Sequence, residues 1–212
     1  VVVKNVTVEG GNYGFHWVYG TTATLENVTM TNVANGLYIQ NYAGKTINVK
    51  NSTISSIAIW ERSGYSGVQT FKFEGVNTVG ELSASQYAKY VLAAEGATLT
   101  APEGSTVTTT VDGYKVAYGD GKYYLKPCDY VAEIVGGAKY ESLQAAIDAA
   151  QNGDVIGVIE DHTYDCSEVK TVSEGDVLML VENKNVTIDL NGKVVTVDVQ
   201  NSDYSSGLGL IA

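Results

Sequence analysis

Arginine occurs once in this chain, at Arg62, and aspartate does not occur before Asp112. Proline, cysteine, histidine, tryptophan and methionine occur twice each. No run of about 18 apolar residues exists, so no segment reads as a membrane-spanning helix. Basic residues are also few, 13 against 24 acidic ones, giving a formal charge of −11. An acidic surface repels phosphate backbones, which argues against a nucleic-acid partner. Cys128 and Cys166 stand outside any CxxC pair, so no metal site is expected. A disulfide between them and two buried thiols remain equally open. Gly-x-Ser-x-Gly, P-loop and dinucleotide fingerprints are missing, and no cofactor is expected. Abundant instead are glycine (23) and tyrosine (15). The apolar residues fall in short runs of Val, Ile, Leu and Tyr, which favours strands.

One pattern recurs in the first half: alternating apolar residues, a charge, a turn residue, then a polar and apolar pair. It reads VVVKNVTV from Val1, ATLENVTM from Ala23, INVKNSTI from Ile47 and FKFEGV from Phe71. Asn5, Asn27, Asn51 and Gly75 follow one another at 22, 24 and 24 residues. Such a step fits three short strands and three turns, one coil of a β-helix. Alternation sends Val1/Val3, Ala23/Leu25, Ile47/Val49 and Phe71/Phe73 into the bore. Asn and Gly best tolerate a left-handed backbone, so the four column residues are expected in one recurring turn, with stacked Asn amides bonded from coil to coil. The Asn-x-Ser/Thr triplets at Asn5, Asn27, Asn51 and Asn185 read as a by-product of that turn, in preference to glycosylation acceptors.

The second half reads differently. Asp112–Lys126 suggests a hairpin turning at Gly119-Asp120-Gly121, and Tyr130–Ile134 pairs with Lys139–Glu141 around Gly136-Gly137. A helix is expected from Ser142, its N-cap, to about Gln151, with Leu143, Ala146, Ile147 and Ala150 on one apolar stripe. The strand Asp154–Ile159 follows. Tyr140–Ala150 followed by Gly153-Asp154-Val155 resembles the opening of pectin-lyase-like right-handed β-helices. Val186–Lys193 is similar to the first full coil in repeat modules of large bacterial cell-surface, adhesin-like proteins. The resemblance covers about 130–197. It implies that the helix plugs the end of the bore, that the protein is extracellular, and that its role is structural or adhesive. The expected fold is therefore all-β, a right-handed parallel β-helix with one short capping helix and β-hairpins. Coils fill 1–111, a hairpin or linker 112–130, and the cap with the first coils of a β-helix 131–212.

Two features bear on chemistry. Enzymes on this fold work largely with aspartates on the outer coil face, and the first 111 residues offer none. Asn-Thr-Asp, Asp-Asp and Gly-His-Gly motifs are absent as well, so no catalytic residue is assigned. Glu61-Arg62 beside Trp60 is the one lyase-like candidate, with a salt-bridged loop as the other reading. The second feature is aromatic: His16, Tyr38 and Trp60 lie 22 apart, and are expected as an outward column, with Phe15, Leu37 and Ile59 beside them pointing inward. Such a column suits the apolar C–H faces of sugars, or serves only as a cross-strand ladder. Glycans are thus a candidate partner. Like subunits are another. Counting Val1 as position 213 places Asn5 25 residues after Gly192, one coil step, so end-to-end stacking between modules is expected.

Overall fold

A computed structural model describes residues 1–164, 168, 170–172, 175–197 and 208–211. The chain divides into two compact units, Val1–Pro127 and Cys128–Ala212. The first is a parallel β-solenoid of about four turns.

Coil one comprises β1 (Val2–Glu9) and β2 (Tyr13–Trp17); coil two, β3 (Thr22–Thr31) and β4 (Asn35–Gln40). Coil three has β5 (Lys45–Lys50), β6 (Thr53–Ile54) and β7 (Ile57–Trp60). Then come β8 (Gln69–Glu74) with β9 (Val76–Val79), β10 (Ala88–Leu92) with β11 (Thr98–Thr100), and β12 (Val107–Thr109). Three faces result. The first is β1-β3-β5-β8-β10-β12, and the second runs from the later halves of β1 and β3 through β6, β9 and β11. The third is β2-β4-β7.

Alternation builds the interior as the sequence leads one to expect. Ala23, Ile47, Phe71 and Tyr90 pair in one inward column, and Leu25, Val49, Phe73 and Leu92 in the next; all eight are buried. The outward column that follows the second alternates in charge, Lys4–Glu26–Lys50–Glu74. Lys4 and Glu26 form an ion pair at 2.6 Å, and the hydrogen bond from Lys4 is the main reason the Glu26 carboxyl is held below its ordinary range. On the second face Thr7, Thr29, Thr53, Thr78 and Thr100 make one rank, the stiff β-branched choice for a strand position facing solvent.

The turn between the first two faces belongs to the Asn/Gly column. Asn5, Asn27, Asn51 and Gly75 all have left-handed φ, between 47° and 67°. The Asn27 amide donates to Asn5 Oδ1 at 3.0 Å, whereas Asn51 Oδ1 accepts from the Val76 N–H at 3.1 Å. That acceptor leaves no room for a fourth side chain, since a Cβ on Gly75 would lie 2.1 Å from Asn51 Oδ1. A side chain at the fourth rung would have to displace the Asn51 amide from this bond, and glycine also adopts the left-handed turn without strain.

Burial pushes the Tyr90 hydroxyl well above the ordinary tyrosine value of 10.0, and its bond to Ser83 O only partly opposes this. The native state thus keeps this proton where the unfolded chain ionises. Its contribution to stability is complete below pH 10 and is lost as pH rises from there through the folded value, at up to about 1.4 kcal/mol per pH unit. Urea titrations between about pH 10 and 12 should show a shallower loss in Tyr90→Phe; an unchanged slope would mean that burial of this hydroxyl is not its cause.

Residues 112–127, expected as a hairpin or linker, form the hairpin and belong to the first unit. β13 (Tyr114–Gly119) and β14 (Lys122–Pro127) form an antiparallel hairpin, and β14 pairs antiparallel with β11. Asp120 and Gly121 turn it with positive φ. The hairpin extends the second face because Tyr123, buried beside Leu99, completes the solenoid core.

In the second unit, β15 (Ala132–Ile134) pairs antiparallel with β16 (Lys139–Tyr140) and with β17 (Val155–Val158). The helix α1 spans Leu143–Ala149; Ser142 caps it, accepting from the Ala145 N–H, and Ala150 is already extended. Leu143, Ala146, Ile147 and Ala150 are all buried, in one core with Ala132, Ile156 and Val158. The Gln144 side chain pairs with both backbone groups of Leu180, and Lys184 Nζ donates to the carbonyls of Ile147, Asp148 and Ala150 at the helix end. Strands pair in parallel from there: β17 with β21 (Thr187–Asp189), β18 (His162–Tyr164) with β22 (Val195–Val197), and β20 (Gly175–Met179) with β23 (Leu208–Ile211). β19 (Lys170–Val172) is an antiparallel partner of β20. The register steps here are 32 and 33 residues, longer coils than those of the first unit. Cys128 is half-buried with a free thiol; Cys166 lies outside the described residues.

Candidate binding site: an aromatic corner

The third face holds the expected aromatic column only in part. His16 pairs with Tyr38, and their rings meet edge-on at 5.0 Å. Tyr13, which the spacing argument passed over, stacks on His16 at 5.3 Å and contacts Tyr38 at 5.1 Å. Burial pushes the Tyr38 hydroxyl up. Trp60 does not join this column. Tyr38 pairs with Ala58, and Trp60 pairs with Gln40, whose amide reaches His16 Nε2 at 2.9 Å. The inward partner of Leu37 is accordingly Ile57, while Ile59 pairs with Ile39.

The slip has a traceable cause. Thr29 to Leu37 takes eight residues in coil two, but the equivalent path in coil three, Thr53 to Ile57, takes four. The tight corner works because Gly36 lies against the next coil: a Cβ there would be 2.7 Å from Ser55 Oγ and 2.8 Å from Ser56 O. The four residues return at the following corner, where Ile57 to Gln69 takes twelve against eight for Leu37 to Lys45. That longer loop carries Glu61, Arg62 and Tyr65.

At this corner a second ladder forms. Tyr19 stacks on Tyr42 with centroids 5.4 Å apart and planes 28° apart, and Tyr42 meets Tyr65 edge-on at 5.2 Å. The Arg62 guanidinium lies 4.8 Å from the Tyr42 ring centre and 5.4 Å from that of Tyr65, and Nη1 donates to the Tyr42 hydroxyl. Glu61 does not pair with it; Glu61 Oε1 accepts from Ser85 Oγ. The salt-bridged reading of Glu61-Arg62 thus gives way to a cation–π brace across the ladder. Tyr19, Trp60 and Tyr65 are 76%, 42% and 39% exposed. The sequence signal was present, since Tyr19, Tyr42 and Tyr65 stand 23 residues apart each time.

Beneath the rings, buried polar groups hold the corner. Gln69 Nε2 donates to Asn41 Oδ1, Ala43 O and Gly67 O, and Lys45 Nζ donates to Gln40 O and Ala43 O. Burial pushes the Lys45 ammonium down. Gly67 packs on the backbone of Ala43-Gly44, where a Cβ would come within 2.3 Å of Ala43 C. From the next coil on, the corner opens into a groove of about 480 Å³ lined by Ser83, Ser85, Gln86, Ser105 and Thr106, with Tyr90 and Glu103 at its walls.

Among the described residues no group of three His, Cys, Asp or Glu side chains comes together, and no helix is long and apolar enough to cross a membrane. The fold and this corner define a parallel β-solenoid protein with a braced, solvent-facing tyrosine ladder. No family model, curated protein or solved structure matches the chain.

Proposed function

We propose that this chain is a non-catalytic, adhesive module of an extracellular bacterial surface protein, built on a right-handed β-helix of the pectin-lyase-like kind. The observation that carries the reading is the Tyr19–Tyr42–Tyr65 ladder, a row of aromatic rings held in register by three successive coils, with Tyr19 and Tyr65 exposed and Tyr42 half-buried between them. Amphipathic rings on a rigid support give contact area at little entropic cost, the economy on which adhesive surfaces depend. In this reading neighbouring modules stack end to end.

The test uses beads carrying the full chain, drawn under flow over surfaces coated with fibronectin, mucin or plant cell-wall glycan. Retention on at least one coat is expected, lowered in Tyr19→Ala, with no release of reducing ends or unsaturated sugars. Beads that hold to none of the coats would remove the adhesive reading. Sugar release that disappears in Glu61→Gln or Arg62→Ala would make the chain an enzyme instead.

A further inference from the structure

The tyrosine ladder and the serine-lined groove are one continuous feature. Tyr19, Tyr42, Tyr65, Ser85 and Ser105 stand two to four residues ahead of the first residue of β3, β5, β8, β10 and β12 respectively. Those five strands lie side by side in the first face, so the five residues mark the same corner in five successive coils. The hydrogen bond from Ser85 to Glu61 ties the groove to the loop that carries Arg62 and Tyr65. Aromatic rungs thus lead along the solenoid axis directly into a hydroxyl-rich trough.

Resting on the adhesive reading above, we infer that this corner binds an extended, uncharged β-1,4-linked glycan, laid parallel to the solenoid axis, with sugar rings against the tyrosines and its continuation in the groove. Three considerations select that ligand. The first is repeat length. Ring centres stand 5.4 and 5.2 Å apart, because parallel strands stack at about 4.8 Å. One pyranose adds nearly the same length to a flat, extended 1,4-linked chain, so successive sugars stay in step with successive coils, whereas a coiled α-linked chain does not.

The second consideration is surface chemistry. The equatorially substituted sugars of such a chain offer apolar C–H faces to aromatic rings and hydroxyls to their sides. The corner presents both partners in the matching order: Tyr19, Trp60 and Tyr65 with exposed ring surface, then the groove, where Ser85 and Ser105 donate to Glu61 Oε1 and Pro102 O and keep lone pairs to accept from sugar hydroxyls, beside Ser83 and Thr106. The third is charge. The guanidinium of Arg62 is engaged by Tyr42 and Tyr65, Glu61 and Glu103 flank the path, and the whole chain carries −11. Arg62 keeps its positive charge in that contact, but Glu61 and Glu103 offset it, so the path has no cationic excess to hold a polyuronate, which a neutral chain does not need. The site is also preorganised, since the buried bonds of Gln69 and Lys45 fix the loop that bears the rings.

Isothermal titration of the full chain with cellohexaose, mannohexaose and xylohexaose tests the inference, with maltohexaose and hexagalacturonate as the coiled and charged counterparts. At least one of the three extended neutral hexamers is expected to bind, at least tenfold more tightly than either counterpart. Affinity should rise with chain length up to about five sugars, one per coil of the corner. Tyr19→Ala and Trp60→Ala should each weaken binding about tenfold, equivalent to about 1.4 kcal/mol, and Tyr19→Ala should leave thermal unfolding unchanged, because Tyr19 is 76% exposed. Absence of binding by all three extended hexamers, equal binding of maltohexaose, tighter binding of hexagalacturonate, or full affinity in the Tyr19→Ala/Trp60→Ala double variant would each overturn it. If the hexamers fail while beads still hold to a fibronectin coat, the adhesive reading stands and this one falls.

Discussion

Leu143→Asp is expected to destabilise the second unit by more than about 4 kcal/mol, beyond the range of ordinary single substitutions. Leu143 is completely buried at the start of α1, in one core with Ala132, Ile156, Val158 and Tyr164. A carboxylate there would lose its hydration in an apolar pocket, and the alternative of protonating it also costs free energy at neutral pH. The rest of the stripe cannot compensate, because Ala146, Ile147 and Ala150 depend on the same packing. Hydrogen exchange measures the effect where it arises. Amides of β15 and β17 in the full chain should exchange at least about a thousandfold faster, 1.4 kcal/mol corresponding to tenfold. Protection equal to the parent's would show that the helix does not close this core.

Phe71→Ala should cost the first unit about 3–5 kcal/mol, the range for removing a buried phenylalanine. Phe71 sits in the bore between Ile47 of the coil before and Tyr90 of the coil after, and its ring stacks on Tyr90 at 5.3 Å. Removing it leaves a cavity that the parallel strands on both sides cannot collapse into without giving up their ladder bonds. Phe71→Leu keeps most of the volume and should cost less than half as much. In a solenoid each coil touches only its neighbours, so loss of exchange protection should centre on β5, β8 and β10. Urea unfolding supplies the magnitude and residue-resolved exchange the location. A cost below about 1 kcal/mol would mean that the bore is plastic at this level.

The two results bear on how the candidate site is built. Its tyrosines need no core of their own; they are held at coil spacing by the bore beneath them and by the buried amides of Asn41 and Gln69. A loss of core order at Phe71 should therefore also blur the corner, whereas Tyr19→Ala should touch binding alone.

Much of this is legible in the sequence. Alternation in INVK and FKFE marks which side chains enter the bore, and the Asn/Gly column marks a left-handed turn, because those properties follow from one residue and its immediate neighbours. The capping stripe Leu143, Ala146, Ile147 and Ala150 is legible for the same reason. The column His16–Tyr38–Trp60 was not, although its spacing of 22 is regular. Trp60 leaves it because coil length is a sum over three corners: coil three is short before β7 and long after it, and spacing alone cannot assign residues to corners. The Tyr19–Tyr42–Tyr65 ladder shows the reverse. Its spacing of 23 is just as regular, but corner residues carry no alternation to say which way they point.

What the sequence determined by itself is thus the repeat: strand alternation, the Asn/Gly turn, the helix stripe and the all-β class, each encoded within a few residues. Only the tertiary structure decided which aromatic residues share a face, that the 112–127 hairpin docks on the solenoid through β11, and that Arg62 braces a ladder in place of pairing with Glu61. Those outcomes depend on where each coil absorbs its extra residues. That is settled by close backbone contacts, such as those at Gly36 and Gly67, between segments twenty or more residues apart.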